Sequence, residues 1–166
     1  MKKIKQEKGI TLSTLVITII VLLILTSTLI YNTKGSINIQ NRTKLYNDIE
    51  LLKEKVSEYY NEYGEIPAKI EYTNIGNLSN ILSKNNDTGK FYVIDLEAMK
   101  GITLNYGKDY EKIKDNASSA NSYQDVYIIN KNSHNIFYVK GVTVTSNDIT
   151  TTYYTDYTQP DETVVD

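Results

Sequence analysis

The chain has 166 residues, a formal charge of -2 and a mean hydropathy of -0.38, a length that suits one ordinary domain plus an extra element. It contains no cysteine, which excludes disulfides, thiolate metal sites, iron–sulfur clusters and cysteine nucleophiles; a single histidine, His134, excludes a multi-histidine metal centre. The acidic balance gives no footprint for free nucleic acid, and the lysines at 112, 114, 131 and 140 are scattered, so no nucleic-acid partner is predicted.

Residues 1–9, MKKIKQEKG, form a basic leader with four lysines against one glutamate. Residues 10–30 then run for 21 positions without a charge; fourteen are Leu, Ile or Val and seven are Ser or Thr. At 1.5 Å per residue such a helix spans ~32 Å, which matches a hydrocarbon core of ~30 Å. The hydroxyls bond to the carbonyl one turn back, so they cost little there. The run predicts a membrane-spanning helix, and the lysines before it predict a cytoplasmic N-terminus with the larger C-terminal part outside the cell. A cleaved secretory signal fits poorly, because the apolar run is too long and no small-x-small site follows it.

A polar stretch follows. Leu45, Ile49, Leu52, Val56, Tyr59 or Tyr60, and Tyr63 then recur at spacings of four and three. That is one apolar stripe on a helix, with Lys44, Asp48, Lys53, Glu54, Lys55, Glu58 and Glu62 assigned to the opposite face. Gly64 ends the helix and Pro67 prevents its resumption. The stripe lasts under three heptads and strand-like segments come next, so it is predicted to pack on a sheet rather than in a coiled coil.

In the remainder, GNLSNILSK reads as a short helix using Leu78, Ile81 and Leu82, NNDTG as a turn and FYVIDL as a strand. Residues 107–124 are polar and read as a loop. The clearest hairpin joins 126–129 to 136–144 through NKNSHN, with a third strand near 149–157. The fold class is α+β: a long N-terminal helix, membrane-spanning in its first half and amphipathic in its second, packed on a small antiparallel β-sheet. The expected organisation is a leader at 1–9, a membrane or filament-core helix at 10–33, its amphipathic extension at 34–67, an antiparallel head at 68–158, and a loose acidic tail at 159–166.

Two segments together resemble a known family. Lys8-Gly9-Ile10-Thr11-Leu12, at the junction of leader and apolar run, and IELLKEKVSEYYNEYGEIP, an amphipathic helix ending in tyrosines, glycine and proline, are similar to type IV prepilins, including the pseudopilins of type II secretion and competence systems. The likeness covers roughly the first 67 residues. It implies cleavage between Gly9 and Ile10 by a prepilin peptidase, N-methylation of Ile10, and retention of the apolar helix. It further implies other pilin-like subunits, an inner assembly platform and the lipid bilayer as partners. The family usually carries a glutamate where this chain has Thr14, which accepts a hydrogen bond but cannot neutralise an N-terminal ammonium on a neighbouring subunit.

No G-x-S-x-G, HExxH or glycine-rich phosphate loop is present, so no catalytic residue, cofactor or metal is assigned and the chain is not expected to be an enzyme. His134 reads as a turn residue. Asp148, Asp156, Asp161, Glu162 and Asp166 read as solvated charge without calcium-loop spacing. The expected function is a membrane-anchored subunit of a type IV pilus, type II secretion pseudopilus or competence pseudopilus. The alternative is a permanently membrane-tethered extracellular binding module that does not polymerise. Both place the chain in the cell membrane with one crossing; the first adds surface filaments.

Overall fold

The computed structural model describes residues 12–146 and 149–156, with side chains placed for all of these except 12–13 and 25–36. The leader, the Gly9–Ile10 bond and the tail at 159–166 lie outside the described residues. The chain divides into two compact units, Met1–Ile37 and Asn38–Asp166.

Helix α1, Leu12–Tyr63, opens the described chain. Its termination follows from local chemistry: Gly64 takes φ 75°, and its N–H donates to the Tyr60 carbonyl at 2.8 Å. A residue with no Cβ adopts that left-handed turn at little cost, and the chain is released towards Pro67.

The expectation of a membrane-spanning first half is overturned, because no helix among the described residues is long and apolar enough to cross a membrane. The predicted single-pass placement in the cell membrane, with a cytoplasmic N-terminus and an extracellular head, falls with that span.

In the second unit four strands form an antiparallel sheet in the order β1-β2-β3-β4: β1 Ala68–Tyr72, β2 Phe91–Ile94, β3 Tyr127–Asn130 and β4 Ile136–Tyr138. Alternation sends successive side chains to opposite faces. Tyr127, Ile129, Ile136 and Tyr138 point to the face that gathers Leu45, Ile49, Leu52 and Val56 of α1. Phe91, Val93, Ile128 and Phe137 point to the other, where they meet Leu78, Ile81, Leu82, Tyr110 and Ile113. Both faces are therefore covered, which is why every residue of β3 and β4 is buried. The second cover comes from a 3-10 turn at Gly76–Leu78, helix α2 Ser79–Lys84, helix α3 Tyr110–Ile113 and a 3-10 segment at Ala117–Ser122.

Several sequence expectations change here. The polar stretch 107–124 is not a loop: it forms α3 and the Ala117–Ser122 turn, and three well-spaced anchors, Tyr110, Ile113 and Ala120, are buried. The long strand expected at 136–144 breaks at Gly141, which takes φ 72°. A Cβ there would lie 2.6 Å from Thr152 Cγ2 and 2.7 Å from a Tyr154 ring carbon. Beyond the break, β5 Val142–Ser146 pairs with β6 Ile149–Tyr153 as a separate two-stranded sheet. The third strand thus pairs with β5, and Tyr154 and Thr155 reach β4, through Tyr138 N–H to the Tyr154 carbonyl and the Thr155 hydroxyl to the Ile136 carbonyl.

Candidate functional site

The first unit presents one feature of note. Leu15, Val16, Ile17, Ile19, Ile20, Val21, Leu22, Leu23 and Ile24 are each 47–63% exposed, all the way round α1. Thr18 turns its hydroxyl back onto the Thr14 carbonyl at 2.8 Å, so the backbone absorbs that polar group and the surface stays apolar. A helix that is apolar on every side is stable in water only when something covers it. Burying nine half-exposed side chains of this size yields on the order of 10 kcal/mol. Thr14 itself is exposed and brings no carboxylate to this surface. Gly9 and Ile10, the predicted processing pair, lie outside the described residues.

In the second unit the remaining predicted residues separate into two groups. Leu45, Ile49 and Leu52 are fully buried and Val56 nearly so, all four against the sheet. Tyr60 and Tyr63 are 43% and 59% exposed, so the predicted packing stripe stops at Val56 with Tyr59 half-buried beside it. The sheet no longer lies under the final turn. There Tyr63 packs at a tilt against Tyr59 (4.5 Å between ring centroids) and Tyr60 likewise against His134 (5.0 Å).

Asp48 corrects the sequence reading most sharply. Assigned to the solvated face, it is 2% exposed. Its carboxylate accepts from Asn105 N–H at 2.9 Å and Asn105 Nδ2 at 2.8 Å. It also accepts from Tyr106 N–H at 2.9 Å and the Tyr127 hydroxyl at 2.8 Å. The spacing held the signal: Asp48 lies three residues after Leu45 and four before Leu52, on the apolar stripe itself. Burial, and then the Asp48 charge, push the Tyr127 phenol far up from its ordinary value. A parallel arrangement sits alongside. Tyr138 donates to Asp125 at 2.8 Å, and Asp125 also accepts from Gly107 N–H at 2.7 Å. These contacts position the 104–107 segment against α1 and β3; they hold no reactive constellation.

Arg42, the one arginine in the sequence, lies over the rings of Tyr153 (4.3 Å) and Tyr46 (5.1 Å) and so ties β6 to α1. At the surface Glu97 receives Lys69 at 2.8 Å and Lys114 at 2.9 Å, and those two hydrogen bonds lower its carboxyl to about 2. Among the described residues no cluster of three or more His, Cys, Asp or Glu could hold a metal ion. No protein-family model, curated protein or solved structure matches the chain.

Proposed function

We propose that this chain is a pilin-like subunit, trimmed between Gly9 and Ile10 and assembled with sister copies through the apolar N-terminal part of α1. The single observation that carries the reading is the all-round exposure of Leu15 to Ile24, in a helix preceded in the sequence by a leader that resembles those of prepilins. Side-by-side packing of such helices removes the exposed surface from water and needs no polar recognition. The head supplies an anchored frame for the helix rather than catalysis, and the chemistry is done to the chain by a prepilin peptidase. Thr14 leaves the N-terminal ammonium of a neighbour without a carboxylate partner, which favours a minor subunit of a pilus or pseudopilus over a self-sufficient major one.

The test is mass spectrometry of the mature N-terminus in a strain with an active prepilin peptidase, together with fractionation of sheared filaments. The expected product begins at Ile10, carries an added methyl group, and co-purifies with filaments. An intact Met1 or Lys2 terminus refutes the processing step. A correctly trimmed chain that never enters filaments refutes assembly and favours a head that works as a non-polymerising binding module.

A further inference from the structure

Where α1 leaves the sheet, a cleft of about 450 Å³ opens between the last turn of the helix, the segment leading into β1, strand β2 and the β3–β4 turn. Its size falls in the ~300–1,000 Å³ range of small-ligand sites. Three tyrosines line it: Tyr59, Tyr60 and Tyr92. None of their hydroxyls has a hydrogen-bond partner among the described residues. Tyr60 is the most open of the three at 43% and leans on the His134 ring with an interplanar angle of 57°.

His134 is held there firmly. It takes φ 60°, a left-handed conformation uncommon for a residue with a side chain. The turn that imposes it is over-determined. Asn130 Oδ1 accepts from the N–H groups of Asn132 and Ser133, the Asn130 carbonyl accepts from His134 N–H, and buried Asp87 accepts from the Ser133 hydroxyl and the Asn135 amide. A strained residue fixed by its surroundings and aimed into a cleft is the pattern expected of a presented group rather than a filler.

The lining also selects the ligand. Lys131 is balanced by Glu65 and Asp95, the latter already engaged by the Tyr110 hydroxyl, so the cleft has no positive excess to hold a polyanion. What remains is aromatic faces edged by dispersed donors and acceptors. We propose that this cleft binds a neutral oligosaccharide, with a pyranose ring stacked on Tyr60 and His134 and its hydroxyls meeting the phenols of Tyr59 and Tyr92 and the side chains of Lys131 and Glu65. This binding is independent of filament assembly.

The experiment is isothermal titration of the full chain with cellohexaose, chitohexaose and maltohexaose as separate probes. At least one is expected to bind with Kd of about 1 mM or tighter. Tyr60→Ala and His134→Ala each weaken that binding about tenfold or more, while Tyr60→Phe, which keeps the ring, and exposed Lys140→Ala stay within about threefold of the parent. Circular dichroism of each variant checks that the fold is kept. The proposal is overturned if none of the three probes binds at 1 mM or below, if Tyr60→Ala leaves binding unchanged, or if a sulfated heparin hexasaccharide binds more tightly than all three. Because the readout is saccharide binding by the unassembled chain, its failure leaves the filament reading standing, and the reverse holds as well.

Discussion

Replacing Asp48 with alanine tests the packing of α1 most directly. The carboxylate serves four donors, and they do not fare alike when it goes. Asn105 is exposed, so its N–H and amide recover water. The Tyr127 hydroxyl is buried with its ring, 3% exposed, and Tyr106 N–H is half-buried; these are the stranded groups. At ~1–2 kcal/mol for each stranded donor, plus ~1 kcal/mol for the freed 104–107 segment, Asp48→Ala costs about 3–5 kcal/mol. That is a large part of the ~5–15 kcal/mol that stabilises a domain of this kind. Tyr127→Phe removes only one bond and costs ~1–2 kcal/mol. In the double variant the phenol is no longer present to be stranded, so the losses fall short of additivity by ~1–2 kcal/mol. Urea unfolding of the four proteins, followed by circular dichroism, measures all the terms. An Asp48→Ala loss below ~1 kcal/mol, or strict additivity with Tyr127→Phe, refutes the claim that this carboxylate anchors the helix to the sheet.

Other outcomes follow from the same contacts. Glu97 has a folded value of about 2, below its unfolded one, so its contribution is present above pH ~4.5 and is lost as pH falls towards 2; Glu97→Gln flattens the melting-temperature profile across that window, and added salt shrinks the effect. Burial raises Tyr72 and Tyr110 to about 12, and Tyr127 and Tyr138 higher still. The fold therefore prefers their protonated forms, and stability held below pH ~10 is lost steeply as pH rises beyond it, with tyrosinate absorbance appearing together with unfolding rather than before it. Gly141→Ala forces a Cβ into Thr152 and Tyr154 at positive φ and destabilises the chain by about 2–4 kcal/mol in urea titration. Leu22→Asp or Ile20→Lys, on exposed positions of α1, leaves head stability within ~0.5 kcal/mol; under the proposed assembly it also removes the chain from sheared filaments.

Local sequence determined a good deal of this protein. Periodicity at 45, 49, 52 and 56 marked the buried face of α1, Gly64 and Pro67 marked its end, and the NKNSHN turn marked the pairing of β3 with β4, because each signal is complete within one or two turns of chain. Asp48 lies on the stripe by its spacing, yet its charge argues for water, and the four donors that satisfy it come from residues 57–79 positions away. The stripe did not reveal that Tyr60 and Tyr63 lie past the sheet, since a helix keeps its period whether or not anything lies beneath it. Residues 107–124 read as loop because three anchors in a polar background look sparse, yet Tyr110, Ile113 and Ala120 suffice once β2, β3 and β4 offer a second apolar face. Which surfaces are covered, which charge is buried and where a cleft opens depend on contacts between segments far apart in the chain, so only the tertiary structure decided them.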